Sequence, residues 1–271
     1  MIIDFHTHVF PDKIAASTVS ALEAASGNRP YSDGTADGLL TALTAAEASI
    51  AVNLPVLTKP TQFESIFGFA AALNGREYGG ARIISFAGIH PADPNPEEHL
   101  SMLREAGIKG IKIHPDYQHT FFDDEAYVRI ITEAKRLGLI VVTHAGVDAG
   151  FRGEEVKCTP TRVLRLLDRV GGYSRLVLAH LGGAEMTREV IDSLAGEDVY
   201  FDTAYNLGHV TRALFSELLE KHGAERMLFA TDSPWQDIRR EAERIHALGL
   251  SERELSMILS ENALRLLDLV Q

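Results

Sequence analysis

His6-Thr7-His8 closes an apolar opening run, Met1-Ile2-Ile3-Asp4-Phe5. Alternate residues of a strand point the same way and lie about 6.6 Å apart, so two such imidazoles can tilt onto one cation held at about 2 Å. Asp4 shares their parity and is expected to orient a ligand histidine from behind. Three more apolar runs end in a ligand type: Ile-Val-Val-Thr before His144, Leu-Val-Leu-Ala before His180 and Leu-Phe-Ala-Thr before Asp232. Histidines with a carboxylate form a nitrogen and oxygen set that suits zinc, with room for water; manganese, cobalt or iron are alternatives.

Of 11 histidines, His6, His8, His90, His114, His144 and His180 fall at or just past the ends of apolar runs. His99, His119, His209, His222 and His246 fall in helical or loop stretches, where a solvated side chain is the plain reading. Lys112 and His114 share one face of their run, so both could enter the same cavity. Lys112 reads as a contact for an anionic substrate, as a buried ion pair, or as a carboxylated bridge between two metals. His90 precedes a proline and either lines the mouth or serves a turn. Arg152, Tyr205 and Trp235 lie just past the fifth, seventh and eighth runs, where loops supply substrate contacts or pack the rim.

The elements that must position these residues are eight short apolar runs, at 1–5, 49–54, 82–89, 108–114, 139–144, 175–180, 198–203 and 226–231. Each is followed by a stretch of helical period. Thr61 with Glu64 and Ser251 with Glu254 read as capping boxes, and Thr159-Pro160 as a cap followed by proline at the first helical position. Gly138, Gly171, Gly223 and Gly249 read as left-handed helix stops. Over 124–137, the residues Val128, Ile131, Ala134 and Leu137 mark a buried face. Unbroken alternation predicts a single-domain α/β protein over 1–271, a (β/α)8 TIM barrel whose C-terminal rim gathers the polar strand ends into one site. The segment 26–38 reads as a long loop near the mouth, and 251–269 as an extra C-terminal helix that packs outside or closes one end.

His6-Thr7-His8, His144, His180 and Asp232, in that order along nearly the whole chain, resemble the signature of the amidohydrolase superfamily. Gly110-Ile111-Lys112-Ile113-His114-Pro115, Val142-Thr143-His144-Ala145-Gly146, Ala179-His180-Leu181-Gly182-Gly183, Thr231-Asp232-Ser233-Pro234 and the terminal Glu261-Asn262-Ala263-Leu264-Arg265-Leu266-Leu267 are most similar to its amidohydrolase-2 branch. That branch includes aminocarboxymuconate-semialdehyde decarboxylase-like enzymes and lactone hydrolases. The resemblance implies one divalent metal held by His6, His8, His144 and Asp232, with His180 and Asp232 catalytic; in other branches the residue at the place of His180 is itself a ligand. It implies a metal-dependent hydrolase turning an activated water on a small amide, lactone or ester. Its alternative is decarboxylation by a carboxy-lyase. The chain is shorter than decarboxylases typical of the branch, which favours hydrolysis. A TatD-like nuclease is disfavoured, because that family carries glutamate where this chain has the run containing Lys112. A non-catalytic metal-binding barrel would need no proton shuttle of the kind Asp232 and His180 offer.

Composition narrows the partners. The 271 residues carry 26 Lys and Arg against 38 Asp and Glu, a net charge of −12 that repels phosphate backbones and anionic lipid. A small-molecule substrate, anionic where Lys112 contacts it, is therefore expected, and neither nucleic acid nor membrane. One cysteine, Cys158, and the absence of a leader pattern or a long apolar run point to the cytoplasm. No motif specifies an oligomeric state.

Overall fold

The computed structural model describes residues 1–269. Its strands are β1 (Ile3–Thr7), β2 (Ile50–Asn53), β3 (Glu77–Tyr78), β4 (Ala81–Ser85), β5 (Ala87–Gly88), β6 (Gly110–Ile113), β7 (Ile140–Thr143), β8 (Leu176–Leu178), β9 (Tyr200–Asp202) and β10 (Met227–Leu228). All overlap the expected runs except β3, a short antiparallel partner of β4; β1 runs two residues past its run and β4 begins one residue before its own. β4 and β5 flank Phe86 and together form the third barrel strand, which the sequence reads as one run. The remaining pairs are parallel, in the orders β1-β2-β4 and β10-β9-β8-β7-β6-β5. The ring is joined where Phe5 N donates to Phe229 O at 2.9 Å, Asp232 N to His6 O at 2.8 Å and His8 N to Ser233 O at 2.6 Å. The protein is a TIM barrel of the (β/α)8 type.

Two apolar layers follow from the alternation of side chains along each strand. Ile3, Phe5, Val52, Phe86, Val142, Val177, Leu228 and Ala230 fill the barrel interior. Phe5 and Phe86 meet edge to face there, with ring centroids 6.1 Å apart. Ile83, Ile111, Ile113, Val141, Leu178 and Phe201 instead face the helices.

The helices are α1 (Asp12–Ser26), α2 (Ala36–Ala45), α3 (Phe63–Leu73), α4 (Pro96–Glu105), α5 (Glu125–Leu137), α6 (Pro160–Val170), α7 (Thr187–Glu189), α8 (Arg212–His222), α9 (Ile238–Ala247), α10 (Glu252–Ser256) and α11 (Asn262–Leu266). The start signals at Ser251 and Thr159 act as expected: Glu254 N donates to Ser251 Oγ, Ser251 N to Glu254 Oε2, and Arg162 N to Thr159 Oγ1. The box expected at Thr61 is displaced, because Pro60–Gln62 forms a short 3-10 turn in which Gln62 Oε1 accepts from Thr58 N and Lys59 N. Gly138 and Gly171 are left-handed caps, whereas Gly223, at φ 92 and ψ 137, leaves its helix extended. On α5 the buried face is Tyr127, Ile130, Ile131 and Ala134, with Val128 and Leu137 at its margin.

α10, a π turn at Met257–Glu261 and α11 form the expected terminal helical segment. Ala263, Leu266 and Leu267 join the interior cluster, and Asn262 Nδ2 donates to Ala224 O and Met227 O, both at 2.7 Å. These contacts lie where β10 begins, so the segment closes the N-terminal end of the barrel. At the opposite end α1 packs against the turn Ala149–Phe151, with Ala15 and Val19 as its buried residues.

Candidate active site

At the C-terminal rim, strand ends deliver His6, His8 and Asp232 to one point. His6 Nε2 and His8 Nε2 are 3.2 Å apart, and Asp232 Oδ1 lies 3.4 Å from the first and 3.1 Å from the second. Pairing of β1 with β2 is irregular between Asp4 and Thr7, so strict period-two alternation does not persist to the histidines. The backbone departs from ordinary geometry at His180 and Asp232, as it does at Tyr205. His180 has φ 61 and Asp232 φ 68. For non-glycine residues this left-handed region costs about 1–2 kcal/mol each and persists only where the surroundings enforce it. Here Asp202 Oδ1 accepts from His180 N at 2.9 Å, and His6 O from Asp232 N at 2.8 Å.

Hydrogen bonds fix which nitrogens are bare. His6 Nδ1 donates to Asp202 Oδ2 at 2.8 Å, His8 Nδ1 to Leu54 O at 2.9 Å and His180 Nδ1 to Ala204 O at 2.9 Å. A neutral imidazole has one N–H, so each of these rings presents a lone pair on Nε2. Two lone pairs and a carboxylate oxygen therefore converge at His6, His8 and Asp232. His144 Nδ1 and His180 Nε2 form a second close nitrogen pair at 3.0 Å. Nitrogens bound to one ion at about 2.1 Å stand about 3.0–3.4 Å apart, so these spacings and this donor set fit a divalent metal.

The expected set is only partly gathered. His6, His8 and Asp232 form one group able to hold a metal, while His144 groups with His114 and Asp148. His180 stands between them, its ring centroid 5.4 Å from that of His6 and 4.7 Å from that of His144. Gly146 allows the turn beyond His144, since a Cβ there would lie 2.2 Å from Ala184 N.

Lys112 is buried, with Nζ 3.1 Å from His6 Nε2. Burial pulls its pKa down to about 8, against the pull of Asp202, Asp232 and Asp148 in the other direction. Burial also drives the imidazoles of His6, His114 and His144 well below their ordinary range; Lys112 adds to this most at His6 and His114, and His114 at His144. Neutral imidazole is the form a metal requires. Asp202 is raised by burial, partly offset by His180 and Lys112.

The remaining candidates separate by position. His114 is buried, stacks on His144 with centroids 4.3 Å apart and has Nε2 3.2 Å from Asp148 Oδ2. His90 is buried and accepts from Ala92 N at 3.0 Å, a turn contact. Arg152 is exposed and ion-paired with Glu185. Tyr205 donates its hydroxyl to Asn28 Oδ1 at 2.8 Å, tying the segment between α1 and α2 to the rim. Trp235 N donates to Asp232 O at 2.9 Å.

Asp4 does not meet a histidine ring. It accepts from Thr231 Oγ1 at 2.6 Å, Thr231 N at 3.0 Å and His6 N at 3.2 Å, and burial raises its pKa to about 7. The ring partner of His6 is Asp202, which sequence reasoning passed over although it ends a strand as Asp232 does. Asp148 and Gln118 were also missed. Gln118 donates to Leu57 O and Ile89 O and accepts from Tyr127 Oη and His114 N, locking three rim loops together.

The family model described as Amidohydrolase matches residues 3–269. No protein of curated function matches the chain by sequence. Among solved structures, 2,6-dihydroxybenzoate decarboxylase from Rhizobium is 17% identical with a TM-score of 0.69, over 99% of this chain and 98% of that one. A dihydroxybenzoic acid decarboxylase from Polaromonas sp. JS666, holding manganese and the inhibitor 2-nitroresorcinol, is 15% identical with a TM-score of 0.74, over 99% and 97%. A Pseudomonas putida protein with the provisional name 2-pyrone-4,6-dicarboxylic acid hydrolase is 17% identical with a TM-score of 0.66, over 100% and 98%. At these identities the likeness concerns the fold. Among the described residues no helix is long and apolar enough to cross a membrane.

Proposed function

This chain belongs to the amidohydrolase family, and from that premise we propose that it is a metal-dependent decarboxylase of a small planar carboxylic acid. The observation that carries this reading is the buried ammonium of Lys112 beside His6, an anion-binding group set at the cation-binding cluster. Similar folds named as decarboxylases add support, and one of them holds 2,6-dihydroxybenzoate. Length gives no ground for preferring hydrolysis, since the likeness to these decarboxylases runs over nearly the whole of both chains.

In this reading His6, His8, His144 and Asp232 hold one divalent ion, manganese or zinc. When bound, the ion supplies Lewis acidity toward substrate oxygen atoms. Lys112 receives an oxygen of the substrate in its ammonium form, and burial strengthens that contact relative to water. His180, fixed through Nδ1 to Ala204, offers Nε2 as an acceptor that orients the substrate. The bond between the carboxyl carbon and its neighbour breaks, its electron pair stays on the neighbour, and the carboxyl group leaves as carbon dioxide. Asp232, protonated beforehand from water, gives its proton to that carbon.

The test is carbon dioxide release from carboxyl-labelled dihydroxybenzoates and related acids by manganese- or zinc-loaded protein in deuterium oxide. The reading requires labelled carbon dioxide and one deuterium at the vacated carbon. Hydrolysis is the second reading, favoured by the name of the Pseudomonas putida protein. Ring opening of a pyrone or lactone without carbon dioxide would establish it instead.

A further inference from the structure

Asp148 follows β7 four residues after His144, and the loop between them is pinned where Val147 N donates to Ala184 O at 3.0 Å. Its carboxylate is divided between two tasks. Oδ1 accepts from Gly150 N at 2.6 Å and caps the turn Ala149–Phe151. Oδ2 faces His114 Nε2 at 3.2 Å and His144 Nε2 at 3.9 Å. The rings of His114 and His144 are stacked with 12° between their planes, and their Nε2 edges are turned to the same oxygen. His144 Nε2 is buried and has no hydrogen-bond partner.

The proton on His144 has two places to go. On Nδ1 it points at His180 Nε2, leaving a bare Nε2 against the carboxylate, lone pair to negative charge. On Nε2 it points at Asp148, leaving the Nδ1 lone pair free on the side of His180. Only the second arrangement gives a metal on the side of His180 a nitrogen of His144 to bind; the first offers Nε2 toward His114 and Asp148 instead. A carboxylate behind a ligand imidazole fixes both its tautomer and its orientation.

We propose that Asp148 is the positioning residue of the metal centre: it selects the tautomer of His144 that ligates through Nδ1, while His114 holds the carboxylate in place. The proposal rests on the reading of His144 as a metal ligand. It also divides the work of two carboxylates, Asp202 orienting His6 and Asp148 orienting His144, with Asp232 left for the ion and the proton.

The experiment is zinc affinity by chelator competition on metal-free protein, together with imidazole nitrogen-15 spectra of the zinc-loaded form. Asp148→Asn keeps the acceptor for Gly150 N but loses the charge, and lowers zinc affinity about 10–100-fold. The melting temperature of the metal-free variant stays at the wild-type value, which a merely structural role would not allow. His114→Gln, which leaves the carboxylate in place, lowers affinity less than Asp148→Asn. In the wild-type spectrum His144 carries its proton on Nε2 and zinc on Nδ1. Should Asp148→Asn fail to fold, Asp148→Ser retains a capping oxygen without the charge and is held to the same affinity loss. Wild-type affinity in the neutral variant, or zinc on Nε2 of His144, overturns the proposal while leaving the metal centre standing. A wild-type protein that binds no zinc or manganese overturns both.

Discussion

His6 and Asp202, on strands separated only by β10, meet through a 2.8 Å contact between Nδ1 and Oδ2, with both side chains sealed from solvent. Residues from the first and seventh barrel strands thus act as one unit. Asp202 also accepts from the backbone of His180 and Ala204, so a single carboxylate sets the ring of His6 and the left-handed turn that presents His180.

Asp202→Asn should therefore weaken metal binding by about 10–100-fold, the usual cost of losing a carboxylate behind a ligand histidine. Chelator competition checks this. Unchanged affinity would mean that His6 is oriented by packing alone.

Lys112→Met removes the buried ammonium and keeps its apolar length. Loss of a charge-assisted hydrogen bond to an anionic substrate is worth about 1.5–3 kcal/mol, so KM should rise about 10–150-fold. Thermal stability should hold or increase, because an ammonium is costly to bury. A lower melting temperature with unchanged KM would assign Lys112 to an internal ion pair.

Asp232→Asn preserves shape and one ligand oxygen but carries no proton to deliver. Fold and part of the metal content should survive while turnover drops by at least about 100-fold, the low end for a positioned acid or base. Near-normal turnover in a metal-loaded variant would place the proton donor elsewhere.

His222, the last residue of α8, stacks on Phe201 at 3.8 Å and accepts from Gly196 N through Nδ1. Burial lowers its pKa from 6.5 to about 4. The unfolded chain takes up this proton first as the pH falls, so the contribution is fully present above pH 6.5 and is lost between 6.5 and 4, by about 3 kcal/mol in full. Denaturant midpoints of metal-free protein should fall less steeply over that window in His222→Gln than in wild type. Equal slopes would show that His222 takes no part in acid destabilisation.

The barrel was legible because each strand is a short apolar run and each helix carries its own start and stop chemistry. The rim was legible for the same reason: a polar residue that ends an apolar run stands out, as His144, His180 and Asp232 do. Asp202 gave the same signal in Tyr200-Phe201-Asp202 and could have been found by it. Asp148 could not, since it lies in a loop with no period and gains meaning only when β6 and β7 bring His114 beside His144. Asp4 misled because parity was extended through the irregular pairing of β1. Its carboxylate turns to Thr231 on the neighbouring strand, and the seventh strand supplies the partner of His6.

The metal centre is the central claim, and elemental analysis of purified protein tests it most directly, with His6→Ala and His8→Ala prepared alongside. The account predicts about one divalent ion per chain in wild type, lost in both variants. No ion in the wild type after reconstitution with manganese and with zinc, or full occupancy in the variants, would contradict it.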